Sequence, residues 1–214
     1  ATDIPPHNLR ELTAACMQLL DRPGTTAAEL TEWVRGPDFP TEAEIITPAH
    51  ELRSLYTTGR GSLRARAVWI REQGDIVVTA LPHQVSGARV LEQIAAQMQA
   101  KKLPMVADLR DESDRDGFRV VVELKRDAVP DVVLNQLYRF TPLQTNFPAN
   151  MVALDAGRPQ TMNLKDFLTL FIAFREQVVT RRTKFLLNKA RDRAHILVGL
   201  AIAVANIDEI IRVI

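Results

Sequence analysis

The last 52 residues, from Asn163 to Ile214, contain no proline and a single glycine, Gly199. Nothing in them alternates as a strand would, and proline is the residue a helix interior tolerates least. Apolar residues recur at 164, 167, 171, 174, 178, 185, 196, 200, 204, 207 and 211, mostly three or four apart. That spacing predicts helix throughout. Unbroken, such a helix would run roughly 75 Å at about 1.5 Å per residue. A domain of this size cannot bury so long a stripe, so the pattern asks for a partner helix in the manner of a coiled-coil arm. Gly199 or the stretch Asn206-Ile207-Asp208 offers a place where it divides in two.

The residues before it read differently. Asn8 caps a helix carrying Leu9, Leu12, Cys16, Leu19 and Leu20, which ends at Pro23-Gly24. Thr25 or Thr26 starts a short helix through Leu30, Trp33 and Val34, stopped at Gly36-Pro37. Leu63 to Ile70 reads as a strand, which turns at Gln73-Gly74-Asp75 into another at Ile76 to Leu81. Residues 84–102 return to a helical period, Phe118 to Leu124 is β-branched, and Val129 to Phe140 is a short helix with Pro130 in its first turn. Met151 to Leu154 is a further strand before a turn at 155–158. No βαβ unit repeats. The expected class is α+β: a mixed two-layer domain over residues 1–160, then the helical arm over 163–214.

Composition narrows the context. A quarter of the 214 residues are charged, which suits a folded chain and not a disordered one. No uncharged run approaches the ~20 residues of a membrane span. The opening Ala1 to Pro6 lacks a basic region followed by an apolar one, so it does not read as a signal peptide. The lone Cys16 excludes an internal disulfide framework and any multi-cysteine zinc site. A cytoplasmic location is expected, and the missing initial Met suggests a piece of a longer protein. The net charge of +1 hides an asymmetry: residues 1–50 carry three basic and eight acidic residues, residues 163–214 nine basic and five acidic. Basic segments favour phosphate, or simply make a solvated face.

Several clusters can carry chemistry. Asp108, Asp111, Glu112, Asp114 and Asp116 put five carboxylates within nine positions. Their spacing fails the calcium-loop pattern, and Arg110 and Arg115 among them point to salt bridges, so no metal site is expected. The four histidines form no metal-ligand pair, although His7 and His83 each follow a proline and can donate to phosphate, act as general acids, or cap or pin a turn. Thr58-Gly59-Arg60-Gly61-Ser62, followed by Arg64 and Arg66, is more pointed. Its arginines alternate onto one strand face, and its glycines let the backbone approach an anion. That face reads either as a phosphate-backbone contact or as one paired with nearby acids. On the long helix Arg175, Arg181, Arg182, Lys184, Lys189, Arg191 and Arg193 face only Glu176 and Asp192, as a DNA-facing surface or a solvated flank. Phe167, Phe171 and Phe174 read as core. No nucleophile constellation emerges.

Ordered motifs then give the chain a resemblance. Ile4-Pro5-Pro6-His7-Asn8, GPDFPT at 36–41, TGRG at 58–61, LPHQV at 81–85, DLRDESDR at 108–115, RAHIL at 193–197 and NIDEII at 206–211 resemble the A subunit of bacterial type IIA DNA topoisomerases, gyrase and topoisomerase IV. TEAEIIT at 41–47 and the stretch 80–98 look like topoisomerase IV, whereas 114–130 and Arg181 onward look more like gyrase. A divergent homologue, a recombinant gene or a chimera would each produce that mixture.

The resemblance implies an enzyme that cuts one duplex with paired tyrosines, passes another through it and reseals, using ATP. Its catalytic tyrosine lies in a winged-helix motif that neither Tyr56 nor Tyr138 matches, so no catalytic residue is expected here. Mg²⁺ and ATP are implied on a partner B subunit, within an A2B2 assembly built on an A-subunit homodimer. Residues 1–160 would be the tower that supports bent DNA, and 163–214 the descending helix toward the exit gate. Expected DNA contacts are Arg60, Arg64 and Arg66, with Lys101 and Lys102 behind them, and His7 and Asn8 near the groove. The competing expectation is a strut that joins cleavage core to exit gate without touching DNA.

Overall fold

The computed structural model describes residues 3–115 and 117–213, so Asp116 of the acidic cluster and both extreme ends lie outside the described residues. The chain divides into two units, residues 1–168 and 169–214. The first is mixed α and β and the second helical, which makes the fold class α+β.

The first unit opens with α1 (Leu9–Asp21), capped by the Asn8 side chain, and α2 (Ala27–Leu30), which carries a full capping box between Thr26 and Glu29. The expected second helix is thus a single turn, and turns carry the chain on to the buried Val34. A two-residue strand β1 (Glu44–Ile45) and helix α3 (Ala49–Thr58) follow, neither of which the sequence pattern announces.

The strand expected over 63–70 is two strands, β2 (Arg60–Arg66) and β3 (Val68–Glu72), and they belong to different sheets. The join is Ala67, 3 % exposed, whose N–H donates to the Leu143 carbonyl at 2.7 Å. That bond ties the crossing point to the chain entering β7 (Gln144–Asn150), and β2 pairs with β7 over seven residues, Arg60↔Asn150 to Arg66↔Gln144. The first sheet therefore runs β1-β2-β7.

The second sheet runs β3-β4-β6-β5, with β4 at Asp75–Ala80, β5 at Val106–Asp111 and β6 at Val120–Leu124. Its β3–β4 hairpin turns at Gln73-Gly74, as the sequence predicts. Two helices, α4 (Gly87–Gln99) and α5 (Pro130–Phe140), pack against it. Val90 and Ile94 of α4 and Val133 and Leu137 of α5 meet Ile76, Val78, Val120 and Val122 in one core. A hairpin of β8 (Val152–Asp155) and β9 (Arg158–Thr161) closes the strands.

Helix α6 spans Leu164–Ala205 and α7 spans Ile207–Val213. The break falls at Asn206 and leaves Gly199 within α6. The Asn206 side chain donates to the Ile202 carbonyl at 2.9 Å, and its backbone N–H is shared between Ile202 and Ala203 carbonyls. A side chain that competes for a helical carbonyl loosens the ladder there. Leu164 and Leu168 are buried, but Phe171 and Phe174 are more than half exposed, so the reading of that phenylalanine stripe as core is corrected.

Gly59 caps α3 at φ 75°, and a Cβ there would collide with the Met162 carbonyl oxygen. Gly74 has φ 101° with open space around it. Gly59→Ala should therefore cost about 2–4 kcal/mol and Gly74→Ala about 1 kcal/mol, since only the first adds a backbone collision to the left-handed strain. Urea unfolding of both variants checks the contrast.

Candidate nucleic-acid interface

Alternation along β2 sends Leu63 and Ala65 inward, 0 % and 4 % exposed, and puts Arg60, Ser62, Arg64 and Arg66 on the opposite face. Their partners in the β7 register, Asn150, Pro148, Asn146 and Gln144, share that face. The result is a strip of guanidinium and amide groups on an antiparallel sheet. Sequence reasoning misses the amides because Asn and Pro depress strand propensity. The signal that could find them is the even-position set Gln144, Asn146 and Asn150, broken only by Pro148, against Phe147 and Ala149 on the odd positions.

Each arginine is held differently. Arg60 donates from Nη2 to Thr161 Oγ1 at 3.2 Å. Arg64 sits 3.4 Å from Glu51 Oε1, with both side chains about two-fifths exposed, a pair worth little in water. Arg66 gives Nε and Nη2 to Gln144 Oε1 at 3.1 and 2.8 Å and lies over the Tyr138 ring, 4.3 Å from its centroid. Among the described residues only Arg64 of the three forms an ion pair, and Glu44 stands opposite Arg66 in the β1–β2 register, so three arginines face two carboxylates.

The glycines of this segment have another job. The Gly59 N–H is taken by the Leu55 carbonyl at 2.8 Å, and Gly61 lies where a Cβ would press on the Leu55 side chain. They serve the close approach of α3 to β2.

Lys101 and Lys102 are on a different element, the turn after α4. Lys101 takes φ 59°, and Lys102 places Nζ 5.6 Å from the Phe140 ring centroid. His7 Nε2 and the Tyr56 hydroxyl are 2.8 Å apart. Burial depresses the His7 pKa, opposed by the Pro5 carbonyl and the charges of Glu11 and Asp38. Burial also raises the Tyr56 pKa. Asn8 accepts the Arg10 N–H at 2.9 Å and donates to Asp38 Oδ2 at 3.0 Å, while the Asp38 N–H bonds the Pro6 carbonyl at 2.8 Å. Asn8 and the Pro6 carbonyl thus pin the first motif to the second, and His7 ties it to α3. Phe39 of that second motif then lies 5.2 Å from the His83 ring and 5.5 Å from Phe147. Three motifs distant in sequence converge around one phenylalanine, beside an open groove of about 680 Å³.

The acidic stretch is an ion-pair network on the second sheet. Arg110 meets Glu123 at 3.1 Å and Glu112 at 3.6 Å, and Arg119 bridges Glu112 and Glu72 at 2.9 and 2.6 Å. Asp111 accepts the Ser113 N–H at 3.0 Å. Among the described residues no group of His, Cys, Asp and Glu is arranged to hold a metal ion, and no helix is long and apolar enough to cross a membrane.

The family model for the A subunit of DNA gyrase/topoisomerase IV matches residues 1–214. The chain belongs to that family. It is 53 % identical over 218 residues to the DNA topoisomerase 4 A subunit of Salmonella typhimurium and 55 % to that of Pseudomonas aeruginosa, in each case covering all of this chain and 29 % of the relative. It is 52 % identical over 219 residues to the DNA gyrase A subunit of Granulibacter bethesdensis, covering 23 % of it. Relatives of both names thus stand at similar identity, in keeping with the mixed motifs, and the chain spans less than a third of their length.

The buried His7 gives a pH test. Its folded pKa lies below its ordinary 6.5, so the folded chain resists the proton that the unfolded chain accepts. The stabilisation is complete above that ordinary value and is lost as pH falls below it. Urea midpoints at about pH 7.5 and 5.5 should fall further for the parent chain than for His7→Gln.

Proposed function

We propose that this chain is the tower and coiled-coil segment of a type IIA topoisomerase A subunit, and that it supports and grips a bent duplex by sequence-independent phosphate contacts. The observation that carries the reading is the β2–β7 face, where Arg60, Arg64 and Arg66 stand in one row with amides beside them. Alternate residues of a strand lie about 7 Å apart, close to the spacing of successive phosphates along one strand of a duplex. Amides add neutral donors to the same backbone. Arg66, already ordered by Gln144 and Tyr138, loses little rotamer freedom on contact.

The segment positions DNA and does not cut it. Tyr56 is fully buried against His7, and burial raises the pKa of both Tyr56 and Tyr138, which is the wrong direction for a nucleophile. Cleavage, ATP hydrolysis and Mg²⁺ chemistry belong in this reading to a winged-helix region and to a partner B subunit, in a dimeric A2B2 enzyme that changes DNA topology. His7 and Asn8 act by fixing the IPPHN segment, and Lys101 and Lys102 add charge from the turn after α4.

The alternative, a strut without DNA contact, draws on the Arg64–Glu51 ion pair and on Glu44 opposite Arg66, where the basic face meets its own acids. Fluorescence anisotropy with a labelled duplex of about 30 base pairs, across a salt series, separates the two. The expected result is binding that weakens steeply with salt. Arg60→Glu and Arg64→Glu should each weaken it further and flatten the log–log slope by about one. Unchanged affinity in both variants favours the strut.

A further inference from the structure

The C-terminal ends of α4 and α5 meet at one aromatic ring. The turn after α4 carries Lys101 and Lys102, and the last turn of α5 carries Arg139 and Phe140. Lys102 Nζ lies 5.6 Å and the Arg139 guanidinium carbon 5.5 Å from the Phe140 ring centroid, so a half-buried ring holds two exposed cations. Lys101 is exposed beside them, and among the described residues none of the three forms an ion pair. Helix C-termini attract cations because each carries about half a negative elementary charge. Three full charges at two such ends leave a surplus of about two. The turn at 125–128, tied to this region by a Lys125 Nζ bond to the Pro104 carbonyl at 2.5 Å, does not reduce it, since Lys125 and Arg126 outweigh Asp127.

The means of support matters. An acid partner would neutralise these cations, whereas a ring fixes a cation in place and leaves its charge available. Arg66 is supported in the same way, over Tyr138 at 4.3 Å, and Tyr138 and Phe140 belong to the same helical turn. Two residues apart, they project about 200° from one another around a helix about 10 Å wide. The end of α5 therefore presents ring-held cations on both of its sides.

We propose that Lys101, Lys102 and Arg139 form a second phosphate contact, which grips the same duplex beyond the β2–β7 row. The proposal rests on the reading of that row as a duplex contact and extends it past Arg66. From Arg60 to Arg66 the row is about 20 Å long at about 3.3 Å per residue, some six base-pair steps. A duplex that continues past Arg66 meets the end of α5 next, because Arg66 already lies on Tyr138. Three cationic donors with no acceptor suit phosphate oxygens, and such a contact positions the backbone without reading sequence.

The test is binding of a labelled duplex of about 30 base pairs to the full chain across a salt series. Arg139→Glu and Lys102→Glu are compared with Arg22→Glu, which makes the same charge change as the first on an exposed arginine at the end of α1. At about 0.15 M salt the screening length is about 8 Å, so the last variant reports only the distant field. Arg139→Glu and Lys102→Glu should each weaken binding about fivefold or more and flatten the log–log slope by about one, and Arg22→Glu should do neither. Combined with Arg64→Glu, the Arg139→Glu loss should multiply, because one duplex bridges both contacts. Thermal melts verify that these surface variants fold. Losses here without losses in Arg60→Glu and Arg64→Glu uphold this contact and overturn the β2–β7 row; the reverse pattern upholds the row and overturns this contact. An equal loss with Arg22→Glu also overturns it.

Discussion

The seven-residue ladder between β2 and β7 is the constraint on which the rest of the first unit depends. It joins segments some 80 residues apart and sets, in one register, which side chains look inward and which outward. A slip of one residue would bury Arg64 and expose Leu63. The register is defended from the inner face, where Leu63 meets Phe147 and Phe147 meets Phe39, and from the end, where the Ala67 N–H reaches the Leu143 carbonyl. The outer face contributes little to that defence. It is free to be polar because the inner face fixes the pairing.

Ala67 shows why two sheets can grow from what reads as a single strand. Here the chain leaves one ladder and enters another, and the change of sheet takes one small buried residue. A larger side chain at that point would face the core shared by α4, α5 and the second sheet. The arginine face therefore stands on the same framework as the larger hydrophobic core, with α5 as the link: Tyr138 supports Arg66, while Leu137, one residue earlier, is wholly buried in that core.

What can be read in advance follows the range of the interactions responsible. The long helix, the Gln73-Gly74 hairpin, the Asn8 cap and the Arg60–Arg66 alternation are decided by neighbours within a few residues, and all are legible in the sequence. Strands β1, β5 and β7 and helix α3 are not. Strand β7 carries Pro148 and two asparagines, so its local preference opposes the role that the ladder imposes on it. Strand β5 reads only as a run of carboxylates, because the pairings around it reach beyond the strand: its own Arg110 meets Glu123 of β6, and Arg119 meets Glu112 just past its end. In the candidate interface the arginines are visible, but Gln144, which orders Arg66 from 78 positions away, is not. The exposed Phe171 and Phe174 mark the opposite limit: helical periodicity shows that a stripe exists and not what covers it.

The TGRG segment divides its information in a way that bears on function. Each glycine has a packing reason: Gly59 must turn left-handed against the Met162 carbonyl, and Gly61 must admit Leu55. Those reasons account for the glycines without any ligand. Arg60 has no comparable explanation. It is exposed, and among the described residues its one side-chain bond is to a threonine hydroxyl at 3.2 Å at the end of β9. A neutral side chain would satisfy that bond as well as a guanidinium does. A charge that the fold does not use for its own stability, on a strand whose neighbours the fold holds rigidly, is the condition a phosphate contact requires. The glycines build the platform, and the arginines are what it presents.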